Sequence, residues 1–120
     1  MLVIRKEQMD VLSNHQLAQY VKSMVNHLTA SFPDKTKNLG QDELVDLIYK
    51  GINSAEKYGI DDESDVERYL EYVVRYGASF DTGKETAWAL EILNNSELSG
   101  TQKMNQIDDY FLFQLSTGEL

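Results

Sequence analysis

Two tyrosine–glycine pairs, Tyr58-Gly59 and Tyr76-Gly77, bound the stretch that most constrains how this chain can fold. Each glycine follows an apolar run with helical spacing, which is where helices commonly end in a left-handed residue. Glycine is favoured there because it has no Cβ to clash with the backbone. Between the two pairs, six of the eleven residues from 61 to 71 are acidic. The sequence therefore predicts two helices joined by a tight acidic turn.

The rest of the composition also favours helices. The chain has one proline and few clusters of β-branched residues, which disfavours strands. Its 120 residues suit one domain with a hydrophobic core of its own. We therefore expect an all-α fold, with residues 1–120 forming a single-domain bundle of about five helices.

Apolar periodicity and turn residues predict the bounds of these helices. A long N-terminal helix is expected from about Arg5 or Lys6 to Phe32, where Pro33 stops it. Residues 33–40 are expected to form a loop or a single turn, while residues 1–4 and 116–120 form a lead-in and a tail that fray. The later helices are expected over residues 41–58, from within 61–64 to 76, over 84–95, and from a capping box at 99–102 to about 115.

Several side chains have predicted places in this bundle. Gly51 interrupts a good helix, which indicates a close crossing with another helix. Phe80 is expected to fill the core, whereas Tyr110 and Phe113 lie off the inward face of the last helix. The predicted inward residues of the third and last helices are Val66, Tyr69, Leu70, Val73 and Val74, then Met104, Ile107, Phe111 and Leu115.

Charge and hydropathy limit the classes of partner. The net charge is −9, and it lies in the second half: residues 1–60 carry seven basic and seven acidic side chains, residues 61–120 four and thirteen. An acidic half repels phosphate backbones, so we expect no nucleic acid as partner. No stretch approaches the roughly 18 apolar residues of a membrane span, and the start lacks a signal-peptide pattern. With no cysteine, the chain fits a reducing compartment, and we expect a cytoplasmic location.

No motif in the sequence indicates catalysis or a metal. The acidic run from Asp61 fails as an EF-hand loop, because its sixth position is Val66 and its twelfth is Tyr72. His15 and His27 lie three turns apart on one helix and cannot share an ion there. Nucleophile elbows and phosphate-binding loops are absent from the sequence. We therefore expect no enzyme activity, no cofactor and no metal; a small enzyme with a buried carboxylate is the alternative.

A protein contact surface is predicted on the third helix and on the acidic turn before it. Long-range attraction would speed the encounter with a basic partner, and exposed tyrosines beside an arginine are typical of binding hot spots. Solvated acids at a helix start and tyrosines at the core edge are the alternative reading. The predicted contact residues are Asp61, Asp62, Asp65, Glu67, Glu71, Tyr72, Arg75 and Tyr76.

A pattern that runs from Ile4 to Lys103 also resembles a known family. Its residues are Ile4-Arg5, Glu7-Gln8-Met9, His27-Leu28, Phe32-Pro33, Leu39-Gly40, Gly51-Ile52, Ala55, Tyr58-Gly59-Ile60, Glu63, Asp65-Val66, Arg68-Tyr69, Gly77, Phe80-Asp81, Trp88-Ala89, Ile92-Leu93, Leu98-Ser99 and Lys103. The pattern resembles small all-helical bacterial proteins encoded beside type VI secretion effectors and their spike components. The resemblance carries no catalytic residue with it.

The resemblance implies a genetic context in which toxins, immunity proteins, adaptors and chaperones are encoded. A small chain without a nucleophile fits a binder better than a toxin. We therefore expect an adaptor or chaperone whose protein partner is a secretion effector, a toxin or a spike component. An immunity protein that inhibits a cognate toxin is one alternative, and a structural homo-oligomer or homodimer built through helix one is another.

Overall fold

The computed structural model describes residues 14–117, and the side chains of residues 16–117. Within that range the chain forms six α-helices and no β-strand, which confirms the all-α single domain. The helix additional to the predicted five, Pro33–Thr36, is a single turn at the place where the sequence predicted a loop or a turn. The helices are α1 Asn14–Ser31, α2 Pro33–Thr36, α3 Gln41–Lys57, α4 Glu63–Tyr76, α5 Ala87–Leu93 and α6 Gly100–Thr117.

Helix α1 buries one apolar face and ends at the predicted proline. Tyr20, Met24 and Leu28 are buried, and these positions share one face of the helix. Pro33 cannot continue α1 and instead takes the first position of α2, where its missing N–H is harmless. The predicted first half of this helix and the lead-in at residues 1–4 lie outside the described residues.

Helix α3 ends in a Schellman motif, as the first tyrosine–glycine pair predicted. The N–H of Ile60 donates to the carbonyl of Ala55, and the N–H of Gly59 donates to that of Glu56, both at 2.9 Å. Gly59 has a φ of +77°, which a side chain would strain. Ile60 is fully buried, so the residue after the motif packs back into the core.

Helix α4 lies at the centre of the bundle and packs on α1, α2, α3 and α6. Asp62 caps its start by accepting the N–H of Ser64 at 3.0 Å, and Gly77 ends it with a φ of +100°. The predicted inward residues from Val66 to Val74 are all buried. One face of α4 packs on α3, and its flanks pack on α1 and α6.

On both flanks of α4, residues later in α4 contact residues later in the neighbouring helix, so α1, α4 and α6 run in the same direction. From α1 and the residue that follows it, the contacts to α4 are Tyr20 with Glu63, His27 with Glu71, and Phe32 with Arg75. From α6, they are Thr101 with Asp65, Asp108 with Tyr72, and Phe111 with Arg75.

The segment between α4 and α5 differs from the prediction. Phe80 is buried as expected, but α5 begins at Ala87 and not near Lys84. The Thr86 hydroxyl donates to the Phe80 carbonyl at 2.5 Å, and turns closed on the Ser79 carbonyl occupy the residues before it. These turn hydrogen bonds take the place of the first helical turn.

Helix α6 starts with the predicted capping box but buries less than predicted. The Ser99 hydroxyl accepts the Gln102 N–H at 3.1 Å, and the Gln102 side chain accepts the Ser99 N–H at 2.9 Å. Leu115, predicted to face inward, is 52% exposed, because α4 ends at Tyr76 and the last turn of α6 extends past it.

The start of α6 sits directly on the end of α3. A Cβ added to Gly100 would overlap the carbonyl oxygen of Gly59 and lie 2.9 Å from the Cα of Ile60. The buried Lys103 donates from Nζ to the carbonyl of Tyr58 at 2.8 Å, at the helix end that favours a cation. Burial lowers the pKa of Lys103 below its ordinary value. The joint between α3 and α6 therefore leaves no room for a side chain at Gly100.

Among the described residues, no helix has the length and apolar character needed to cross a bilayer.

Substituting the glycine at this joint should destabilise the protein. Gly100→Ala forces a Cβ against backbone atoms that cannot rotate away, and overpacking of this kind typically costs about 1–3 kcal/mol. At Gly51 an added Cβ would overlap only the tip of the Leu70 side chain, and alanine gains about 1 kcal/mol of helix propensity. We expect urea denaturation to give a larger loss for Gly100→Ala than for Gly51→Ala. Equal stability of Gly100→Ala and wild type would contradict the close approach.

Candidate protein-binding site

The predicted contact residues surround α4 without forming one continuous surface. Glu67 and Glu71 are one turn apart and lie beside α1. Asp65 and Tyr72 face α6 on the opposite flank. The structure therefore places these two pairs of predicted residues on opposite flanks of the helix.

The α1 flank contains a contact between a histidine and a carboxylate that the sequence did not predict. Nε2 of His27 lies 2.7 Å from Oε2 of Glu71, and both side chains are partly exposed. Glu67 lies one turn before Glu71, with its carboxylate close to both groups. This flank therefore holds two of the predicted acids beside a histidine from another helix.

The α6 flank is a closed polar network. Asp65 is 4% exposed and accepts hydrogen bonds from Arg68 at 2.7 Å and from the Thr101 hydroxyl at 2.5 Å. Arg68 also donates to Asp108 at 2.9 Å, and the hydroxyl of Tyr72, 3% exposed, donates to Asp108 at 2.7 Å. Because these groups satisfy one another, Asp65 and Tyr72 hold α6 against α4 and present no free surface.

The two remaining predicted residues at the end of α4 also have partners within the protein. The guanidinium of Arg75 lies 4.4 Å from the ring centre of Phe111 and 5.1 Å from that of Phe32. Tyr76 stacks on Phe80 with a centroid separation of 5.8 Å. A cation over an aromatic face contributes about 0.5–2 kcal/mol, so Arg75 joins the ends of α1, α4 and α6.

The acidic turn has a structural role as well. The Asp62 carboxylate accepts from both the N–H and the hydroxyl of Ser64, at 3.0 and 2.9 Å, and so caps α4. Asp61 beside it is partly exposed. The predicted acids that are partly exposed therefore lie at the turn and on the α1 flank.

A second surface, on α5 and α6, was not predicted as a contact surface. The rings of Trp88 and Tyr110 stack with centroids 4.9 Å apart, and Phe113 follows with its centroid 6.3 Å from that of Tyr110. We call these three residues the aromatic row. Phe113 is 57% exposed and Tyr110 39%, while Leu112 and Leu115 are exposed on the other side of the same helix.

A cleft of about 490 Å³ lies beside the aromatic row. Its walls carry two exposed acids, Glu91 and Asp109, next to the apolar side chain of Ile92. The indole N–H of Trp88 is buried and has no hydrogen-bond partner among the described residues. A buried donor without a partner costs about 1–3 kcal/mol.

The sequence held a signal for this surface. Tyr110 and Phe113 lie off the inward face of α6, and large aromatic residues on an outward face are unusual unless something covers them. The polar network gave a weaker signal, since Asp65 and Arg68 are three residues apart on one helix. Their partners on α6 follow only from the packing of the two helices.

No protein-family model, no curated protein and no solved structure matches this chain. A function for it therefore rests on its own residues and on the resemblance in its sequence pattern.

Removing the Tyr72 hydroxyl should change how stability responds to alkaline pH. Burial raises the pKa of Tyr72 above its ordinary value of about 10, and the hydrogen bond to Asp108 raises it further. The folded protein keeps a proton that the unfolded chain releases, so this contribution is complete below about pH 10 and is lost as the pH rises.

We expect Tyr72→Phe to be less stable than wild type at neutral pH, because Asp108 loses a hydrogen bond. Above about pH 10 the difference should shrink by about 1.4 kcal/mol per pH unit. Urea denaturation of both proteins between about pH 8 and pH 11 measures it. A difference that stays constant across this range would contradict the assignment.

Proposed function

We propose that this protein is a non-catalytic accessory factor that binds another protein stoichiometrically, as an adaptor or chaperone for a type VI secretion effector. The observation that carries the proposal is the aromatic row beside the acid-lined cleft of α5 and α6. The secretion context is supported by the resemblance in the sequence pattern from Ile4 to Lys103.

The aromatic row has the composition of a binding hot spot. Tryptophan and tyrosine are enriched at the centres of protein interfaces, where they bury large apolar areas with few rotatable bonds. Covering the exposed parts of Tyr110 and Phe113 would contribute about 25 cal/mol for each Å² of apolar surface removed from water. A partner that covers this row therefore gains binding energy from residues that the fold leaves open.

The charges around the row select the chemistry of the partner. Glu91 and Asp109 border the cleft, and the whole chain carries a net charge of −9. Such a field attracts basic segments and repels acidic ones before contact. The proposed occupant is an amphipathic helix of the cargo protein, with apolar residues against the aromatic row and lysine or arginine beside the acids.

The position of the row in the chain also supports an adaptor. Residues in the family pattern such as Gly59, Ile60 and Phe80 form caps and core, so the pattern describes the fold. Tyr110 and Phe113 follow the end of the pattern at Lys103. A partner-specific surface on a shared fold is what an adaptor for one cargo requires. We propose that it acts in the cytoplasm, where cargo is loaded.

An immunity protein is the second candidate, and the acids on the α1 flank favour it. Glu67 and Glu71 lie on an accessible side of α4, where they could cover the basic active site of a toxin. An immunity protein would abolish the activity of the purified toxin at equimolar ratio. An adaptor would leave that activity intact.

Capture of the partner from native cells tests the proposal. We expect tagged wild-type protein to retain a secretion effector or a spike component, identified by mass spectrometry. The purified pair should bind at least tenfold more weakly in Tyr110→Ser with Phe113→Ser, because the aromatic anchors are lost. Leu112→Ser with Leu115→Ser is the matched control on the other side of α6 and should bind like wild type.

Other outcomes would contradict the proposal. Equal affinity of the aromatic variant and wild type would remove the aromatic row as the contact surface. Loss of binding only in Glu67→Lys with Glu71→Lys would move the interface to the α1 flank and favour the immunity protein. A dimer in light scattering that dissociates in the aromatic variant would show that the row contacts a second copy of the chain.

A further inference from the structure

Three groups that commonly ligate metals converge between α1 and α4. His27 comes from α1, while Glu67 and Glu71 lie one turn apart on α4. One ligand atom from each residue lies within 4.8 Å of the other two, and the closest pair, His27 Nε2 and Glu71 Oε2, is 2.7 Å apart. The three groups are partly exposed, so an ion can reach them from solvent.

The surroundings of this cluster carry negative charge without a compensating cation. Glu63 lies one turn before Glu67 on the same helix. No lysine or arginine of the described part of the chain lies within 4 Å of the carboxylates of Glu63, Glu67 or Glu71. Burial raises the pKa of Tyr20, and the negative charges of Glu63, Glu67 and Asp62 raise it further. The phenol of Tyr20 therefore lies in a negative electrostatic potential, which a bound cation would neutralise.

A cleft beside the cluster gives an ion and its waters room. It has a volume of about 330 Å³, and its walls include Tyr20, Ser23, Glu63 and Glu67. Glu67 thus belongs both to the cleft and to the cluster. A cation held there could keep water molecules in the coordination positions that the protein does not fill.

We propose that His27, Glu67 and Glu71 form a zinc site that links α1 to α4. One imidazole nitrogen and two carboxylate oxygens suit Zn²⁺, whereas Ca²⁺ and Mg²⁺ prefer oxygen ligands alone. Zinc bonds of about 2.0–2.2 Å in a tetrahedral site place neighbouring ligand atoms about 3.4 Å apart. That spacing falls between the 2.7 Å and 4.8 Å limits of the cluster, so rotation of the two glutamate side chains closes the site.

A simple ion pair between His27 and Glu71 is the alternative to a zinc site. The role of Glu67 distinguishes these two interpretations. An ion pair needs only His27 and Glu71, whose atoms are already in contact. A zinc site also needs the Glu67 carboxylate, which takes no part in the 2.7 Å contact between His27 and Glu71. Glu67→Gln should therefore leave the stability of the zinc-free protein unchanged while weakening zinc binding.

Titration of the full chain with zinc chloride against a chelating dye tests the site. We expect one zinc per chain for wild type, with affinity at least tenfold weaker in Glu67→Gln and in His27→Ala. His15→Ala, the only other histidine in the sequence, is the matched control and should change affinity less than threefold. Zinc should raise the melting temperature of wild type more than that of Glu67→Gln at the same zinc concentration.

The outcomes are distinguishable from a failure to fold. Glu67→Gln and His27→Ala should keep the wild-type circular dichroism spectrum, and His27→Gln replaces His27→Ala if the latter does not. X-ray absorption at the zinc edge should show a nitrogen and oxygen shell with one imidazole. Absence of zinc binding by wild type, or equal zinc affinity of wild type and Glu67→Gln, would overturn the proposal and leave the ion pair.

Discussion

The end of α3 is the point on which the rest of the structure depends. Its Schellman motif turns the chain at Gly59 and buries Ile60, and the backbone of these two residues then receives the start of α6 at Gly100. Lys103 completes the joint by donating to the Tyr58 carbonyl at 2.8 Å. Because backbone meets backbone at Gly100, the start of α6 packs on Gly59 and Ile60 without an intervening side chain.

That joint leaves α4 between two parallel neighbours with different chemistry. Toward α6 it presents Asp65 and Tyr72, whose polar groups are satisfied inside the protein. Toward α1 it presents Glu67 and Glu71, whose charges stay open to water and to ions. The same acidic helix therefore stabilises the fold on one flank and offers a binding site on the other. The proposed protein contact lies elsewhere, on the outer side of α5 and α6.

The sequence predicted the parts of the fold that depend on local chemistry. The positive φ of Gly59, the capping box at Ser99 and the buried face of α4 all follow from residue type and spacing. Helix pairing does not follow from spacing, so the burial of Tyr72 by α6 and the exposure of Leu115 beyond α4 were not predictable. For the same reason one surface of eight contact residues was predicted, whereas the structure distributes them over both flanks of α4, the turn before it and its end.

The most direct test is native-state hydrogen exchange of the free protein. It measures whether the core around α4 is closed to solvent while the end of α6 is open to it. The amides from Val66 to Val74 should exchange only through global unfolding, since their helix is buried on several sides. The amides of the last turn of α6, around Phe113 and Leu115, should exchange far faster at every protein concentration. Protection of that turn equal to the protection of α4 would mean that the aromatic row is already covered, and would contradict a surface held open for a partner.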